Sequence, residues 1–438
     1  MNAVFFAIVF VAFVVGGYRQ IGWVPASPDA VSPMNALSAA MIEAAGGAVT
    51  LAIGLVGVMA LFLGLMKAAE AGGMLTIISK TIRPLMVRAF PDVPPNHPAM
   101  GAMILNFSAN VLGLANAATP FGIRAMQELD KLNPNKGTAT NAMALFLALN
   151  TSSLTLLPTG VIALRAAAGS TNAAGILPTT LFATIMSTTV AFVAAKLYQR
   201  WSPIVPEPVA VTADRDLSAA APGPVTEPEQ AADDISQESY PTWVSVVALT
   251  GIAALMPVAV LYGREIAPWV IPGLMIALLT FSVARKVRVY EVFVEGARDG
   301  FQVALKIIPY LVAILVAVAM LRASGALEII VSWLSPVTSL VGLPAEALPM
   351  ALLRPLSGSG AYGVLASVIQ DPAIGPDSYV GYLVSTIQGS TEATFYVLAV
   401  YFGAVQVRRL RHTLAAALTA DVAGIAGAVI ACRYLYGG

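Results

Sequence analysis

The chain has 438 residues, 58% of them hydrophobic and 11% charged, with a mean hydropathy of +0.78 and no net charge. Soluble domains carry about 25% charged residues, so the composition predicts an all-α, polytopic membrane protein, with nothing that suggests a nucleic-acid partner. One cysteine (Cys432) excludes a disulfide framework or a thiolate metal cluster, and His97 and His412 lie too far apart in sequence to suggest a metal site. No nucleotide-binding or Ser-His-Asp signature occurs, so neither an enzyme nor a cofactor is expected.

In chain order, residues 3–17 read as a retained membrane helix and 37–47 as an amphipathic, interfacial segment bearing Glu43. A spanning helix at 48–66 and a surface helix at 74–90, with Lys80, Arg83 and Arg88 on its polar side, come next. From Ala99 to Gln127 the apolar run is interrupted by Asn106, Ser108, Asn110, Gly113, Asn116 and Pro120. Two half-helices meeting at a break fit this pattern better than one span. Residues 141–165 repeat it, with Asn150-Thr-Ser-Ser153 in the middle and Pro158 beyond. A plain spanning helix at 177–198 closes the first half. Residues 202–241 are rich in Pro, Ala and acids, with Arg215 as the one base, and read as a disordered, acidic, cytoplasmic linker.

The second half opens with helices at 243–262 and 267–285, an interfacial segment at 290–300, a helix at 302–321 and a surface or half-buried helix at 326–342. Two interrupted stretches come after these. The first, 345–370, holds Arg354-Pro-Leu-Ser-Gly-Ser-Gly-Ala-Tyr-Gly363, and the second, 378–404, holds Gln388-Gly-Ser-Thr-Glu392. Pro and Gly in this density cannot continue a helix. Unwound backbone at membrane depth is tolerated only where protein covers it or where it lines a cavity. The final helix, 412–433, carries Asp421 near its middle.

The halves are related. A shift of 252 residues lays Glu43 on Glu295, Ala71 on Ala323, Gly73 on Gly325, Leu75 on Leu327, Ile77 and Ile78 on Ile329 and Ile330, and Pro84 on Pro336. Orientation can be read from the basic residues. Lys67, Lys80, Arg83 and Arg88 come after the helix at 48–66, whereas Arg285, Lys286, Arg288 and Arg298 precede its equivalent. Lys196 and Arg200 come after the closing helix of the first half; Arg408, Arg409 and Arg411 precede that of the second. Equivalent helices are therefore expected to run in opposite directions, as two inverted-topology repeats with broken or re-entrant helices at the midplane. The predicted division is a first repeat at 1–201, the linker at 202–241, an extra helix at 242–265 that inverts the second half, and a second repeat at 266–438.

Residues 41–90 and 97–160 resemble spore maturation protein A. Residues 266–437, with Tyr290-Glu-Val-Phe-Val-Glu-Gly-Ala-Arg298 and Ile308-Pro-Tyr-Leu-Val312, resemble spore maturation protein B. The chain thus looks like a fusion of the two, in the Gate or nucleoside-recognition superfamily, whose domains also occur in concentrative nucleoside transporters and in ferrous iron transporter B. That resemblance implies a transport-type core in a bacterial inner membrane and leaves the substrate open. No base-reading motif supports a nucleoside, and Cys432 lies near the chain end, away from where an iron route would want it.

Arg354 is the candidate clamp for an anionic group, and its bland alternative is a structural arginine paired with Glu392. Ser357, Ser359, Asn106, Ser108, Asn110, Asn150, Ser152, Gln388, Ser390 and Thr391 are candidates for substrate hydrogen bonding, or else satisfy backbone freed by the interruptions. Glu392 and Asp421 are the candidate coupling-ion groups. Together they predict a secondary transporter of a small polar, anionic or zwitterionic metabolite, working by alternating access in contact with lipid and compatible with a homo-oligomer. A non-transporting scaffold of envelope or spore-type maturation, or a channel, is the alternative.

Overall fold

The structure is a computed structural model that describes residues 2–25, 27, 30–113, 115–153, 155–203, 240–338 and 342–437. Most of the acidic linker, 204–239, lies outside the described residues.

In the first half the elements are α1 (Asn2–Ile21), α2 (Pro33–Ala71), α3 (Met74–Ala89), α4 (Pro98–Leu112), α5 (Ala115–Lys131), α6 (Asn141–Thr151), α7 (Thr159–Ala167) and α8 (Leu177–Tyr198). The second half holds α9 (Thr242–Ala284), α10 (Val289–Ala323), α11 (Ala326–Thr338), α12 (Leu348–Leu353), α13 (Gly358–Gln370), α14 (Tyr379–Ser390), α15 (Thr394–Ala404) and α16 (Thr413–Tyr436). Among the described residues three segments are long and apolar enough to cross a membrane: Pro33–Ala71, Ala173–Trp201 and Thr413–Tyr436.

Four sequence expectations are corrected. The interfacial segment at 37–47 and the span at 48–66 form one helix, α2, which starts at the Ser32 N-cap and Pro33 and stops only at Gly72-Gly73. At 1.5 Å per residue its length is about 58 Å, so it overreaches a hydrocarbon core of about 30 Å. Likewise 243–262 and 267–285 join in α9, and 290–300 and 302–321 join in α10. The residues between each pair include no left-handed residue to turn the chain. Finally, Asn106–Asn110 lies inside unbroken α4; the chain leaves the helix at Gly113, whose φ of 75° suits glycine.

Residues matched by the 252-residue shift sit at similar places in the two halves. α2 ends at Ala71 and α10 at Ala323, each with a left-handed glycine just beyond, Gly73 (φ 84°) and Gly325 (φ 79°). Both α3 and α11 then contain a proline, Pro84 and Pro336.

α2 and α10 pack through glycine. A Cβ on Gly300 would lie 2.7 Å from Ala60 backbone, one on Gly296 2.6 Å from the Leu63 carbonyl, and one on Gly64 2.9 Å from the Phe293 carbonyl. Numbering rises along one helix as it falls along the other, so the pair is antiparallel. Without a hydrophobic drive between helices in lipid, such close approach supplies the van der Waals energy of association. α8 and α16 also run antiparallel. The Tyr436 hydroxyl donates to the Gly175 carbonyl (2.5 Å) at one end, and Tyr198 and Thr419 hydroxyls meet (3.2 Å) towards the other.

Two loop pairs join the halves reciprocally. At the end of α7, Arg165 Nη2 donates to Asp377 Oδ1 (2.9 Å) and Arg165 Nη1 to the Pro376 carbonyl (2.6 Å), while the Thr171 N–H, beyond the helix, donates to Asp377 Oδ2 (2.7 Å). Beyond α15, Arg408 and Arg409 N–H groups donate to the Gly137 carbonyl and the Ala139 N–H to the Arg409 carbonyl. α14 leaves the first junction and α7 runs into it; α6 leaves the second and α15 runs into it. The apolar cores are shared in the same manner. One packs Val161, Ile162 and Leu164 against Leu365, Leu383 and Val384, and another packs Met103 and Phe146 against Tyr401 and Phe402.

Candidate functional site

α12 stops at Leu353 because Pro355 cannot continue it, and α13 restarts at Gly358 behind the Ser357 N-cap, whose hydroxyl accepts from the Gly360 N–H (3.0 Å). The N–H groups of Gly358 and Ser359 fall in the first turn, where the helix itself offers them no acceptor. In the other interval of this half, Thr391 and Ala393 are extended between α14 and α15. The two intervals are tied together: Arg354 Nη2 donates to the Thr391 carbonyl, and the Phe395 N–H donates to the Pro355 carbonyl (3.0 Å).

The first half brings its own two intervals to the same place. The Glu392 N–H donates to the Thr151 carbonyl (2.8 Å), and the Leu156 N–H to the Val111 carbonyl (3.3 Å). A Cβ on Gly113 would stand 3.0 Å from the Leu157 carbonyl, so glycine is needed there for approach as well as for φ. From α8, the Thr184 hydroxyl lies within reach of the carbonyls of Ser152, Ser153 and Ser390. Ser153 itself is left-handed (φ 42°), a strained conformation for serine.

Between the four intervals lies a cavity of about 140 Å³. Arg354, Glu392, Gln388, Thr391 and Asn110 line it, and Asn110 Nδ2 donates to Asn150 Oδ1 (3.0 Å) just behind. Arg354 Nη2 stands 3.6 Å from Glu392 Oε2; the arginine side chain is 4% exposed and the glutamate 45%. Moving a cation to the centre of a spanning helix costs about 2.5–3.5 kcal/mol on insertion scales, and here the Thr391 carbonyl and Glu392 offset part of that. Among the described residues, two buried atoms at the cavity are left without a hydrogen-bond partner, Arg354 Nε and Gln388 Oε1.

Other expected site residues lie elsewhere. Asn106 Nδ2 donates to the Ala118 carbonyl (2.7 Å) and to the Tyr401 hydroxyl (3.2 Å), bridging α4, α5 and α15. Ser108 meets Ser79 (2.8 Å), Ser152 meets Thr188 (3.0 Å), and the Ser390 hydroxyl turns back to the Ile387 carbonyl (3.3 Å). Ser357 and Ser359 serve the α13 cap. Asp421 is 2% exposed on α16; its Oδ2 accepts from Thr394, at the start of α15, and its Oδ1 has no partner.

Ser153, at the end of the Asn150–Ser153 stretch, also lines the cavity; sequence reasoning passed over Tyr362 and Thr155, which line it too, and Arg165. The hydroxyl of Tyr362 lies 2.6 Å from where a Cβ on Gly160 would stand. Arg165 is fully buried, with its guanidinium 4.2 Å above the Tyr382 ring, which stacks on Tyr436. A lone cation in the apolar run Val161–Ala168 was a visible signal, of the same kind as Arg354. Asp377 lies in the loop outside the spanning segments. Burial pushes its carboxyl up, but hydrogen bonds from Ser170 and Thr171 and the Arg165 charge outweigh that and hold it below its ordinary value.

The chain is 44% identical over 177 residues to spore maturation protein B of Bacillus subtilis, covering 40% of this chain and 98% of that protein. Over a different half it is 47% identical across 148 residues to spore maturation protein A of the same organism, covering 34% and 76%. It is also 37% identical over 81 residues to the inner membrane protein YjiG of Escherichia coli K12, covering 18% and 53%. No solved structure matches it. The Gate profile, described as nucleoside recognition, matches residues 52–168 and 304–408. Both segments reach into the cavity lining, and the chain therefore belongs to the Gate, or nucleoside-recognition, family of membrane proteins, joining in one polypeptide sequences similar to spore maturation proteins A and B.

Proposed function

We propose that the protein is a secondary transporter of a small polar, anionic or zwitterionic metabolite in a bacterial inner membrane. The observation that carries this reading is the cavity at which Arg354 and Glu392 meet the helix interruptions of both halves. Antiparallel packing of α2 on α10 and of α8 on α16 supports an inverted repeat, since each pair joins equivalent positions. The reciprocal junctions support it too, because α6–α7 runs from one junction to the other while α14–α15 runs back. Two such units crossing at a shared site can rock against each other and expose it to either side in turn. The name of YjiG, an inner membrane protein, supports the location.

In this reading Arg354 binds the anionic group, with Gln388, Thr391 and Asn110 adding hydrogen bonds. Glu392 and Asp421 carry the coupling ion. Asp421 suits that role because one carboxylate oxygen is bonded across to α15 and the other is buried without a partner. Uptake into proteoliposomes of purified protein, with amino acids, organic acids and nucleosides as the panel, tests it. Absence of flux for every compound, from protein that elutes and melts as folded, sinks the transporter. Similarity to two spore maturation proteins favours a second reading, a membrane scaffold for maturation; it predicts that replacing Arg354 leaves function intact.

A further inference from the structure

The family description points to nucleosides, but size and charge at the cavity point elsewhere. A cavity of about 150 Å³ takes a molecule of the size of benzene, and this one has about 140 Å³. That is room for on the order of six non-hydrogen atoms by the same comparison, so a nucleoside would have to extend out of the cavity through its open side.

The lining is also electrically paired. Arg354 is the cation and Glu392 the anion, 3.6 Å apart at their nearest atoms. A lone cation drawn to Glu392 would strand Arg354, whose side chain is 4% exposed, at a desolvation cost, and a lone anion on Arg354 would leave Glu392, 45% exposed, unpaired beside it. A molecule carrying both charges a few ångströms apart replaces the pair with two new pairs and leaves the site neutral. The unpartnered groups have the same polarity: Arg354 Nε is a donor and Gln388 Oε1 an acceptor, both at residues 3% exposed. The N–H groups of Gly358 and Ser359 in the first turn of α13 add donors beside Arg354, where the helix dipole favours a carboxylate.

We propose, resting on the binding role assigned to this cavity above, that its ligand is a small α-amino-acid zwitterion and not a nucleoside. The carboxylate lies on Arg354 and the first N–H groups of α13. The ammonium group donates to Gln388 Oε1 and to Glu392, whose exposed side chain swings off Arg354 to receive it, which leaves Asp421 as the coupling-ion group.

The test is ligand-dependent thermal stabilisation of the purified full chain, and then uptake in proteoliposomes. The probes are glycine, alanine and serine, with propionate, isopropylamine and uridine as the comparison set. At millimolar concentration at least one amino acid is expected to raise the melting temperature, while none of the comparison compounds does. Arg354→Lys and Gln388→Leu are each expected to weaken that response tenfold or more, with the unliganded melting temperature little changed. If Arg354→Lys does not fold, Gln388→Leu carries the same test. Stabilisation by propionate equal to that by the amino acids overturns the zwitterion. Stabilisation by uridine without any amino acid, or no response to the three amino acids, overturns it as well. Binding without flux upholds the ligand class and sinks the transporter, whereas flux of another compound without amino-acid binding does the reverse.

Discussion

Replacing Glu392 by Gln separates a working charge pair from a structural one. The two groups are 3.6 Å apart and Glu392 is 45% exposed, so the ion pair is in the solvent-screened class worth about 0–1 kcal/mol. Arg354 keeps its bond to the Thr391 carbonyl when the glutamate charge is gone. The expected loss for Glu392→Gln is therefore below about 1 kcal/mol, which moves the melting temperature by less than about 2–4 °C even in a domain of ordinary size. Arg354→Lys preserves the charge but loses the planar fork that serves the Thr391 carbonyl and a carboxylate together. It is expected to fold and to weaken apparent substrate affinity about tenfold, or about 1.4 kcal/mol. The assays are thermal unfolding of purified protein and uptake into proteoliposomes, on which Glu392→Gln should be folded and inactive. If instead Glu392→Gln and Arg354→Met each unfold the protein and the double change rescues it, the pair is structural and the reasoning fails.

At the opposite extreme of burial, Asp377→Ala takes the carboxylate from an arginine that is fully buried and leaves that charge uncompensated, and a loss of about 3–5 kcal/mol is expected in chemical or thermal unfolding. The Asp377 carboxyl, held below its ordinary 3.8, contributes stability that is fully present above that value and is lost as pH falls through its lower folded value. Melting temperature should accordingly drop more steeply below pH 4 in the native chain than in Asp377→Asn. Gly300→Ala places a Cβ 2.7 Å from Ala60 backbone; neither partner can rotate away, and a loss of about 1–3 kcal/mol is expected from the same unfolding measurement.

Composition alone made this an all-helical membrane chain, and the 252-residue shift suggested a relation between its halves before any contact was known. Both inferences rest on local chemistry, because apolar runs must bury their backbone in helices and a left-handed turn favours glycine at Gly73 and at Gly325 alike. Arg354 and Glu392 stood out for a similar reason, as charges in apolar surroundings beside residues that stop a helix. Local sequence could not decide where each interruption falls or which side chains face it. Asn106 and Ser108 have the same polarity as Asn110, yet they point into helix contacts and Asn110 lines the cavity, since within α4 facing is set by the packing of α3, α5 and α15. The interfacial segments dissolved into α2 and α10 because a helix with nothing to turn it simply continues. Arg165 and Asp377 lie more than two hundred residues apart, and only the reciprocal docking of the two halves brings them together.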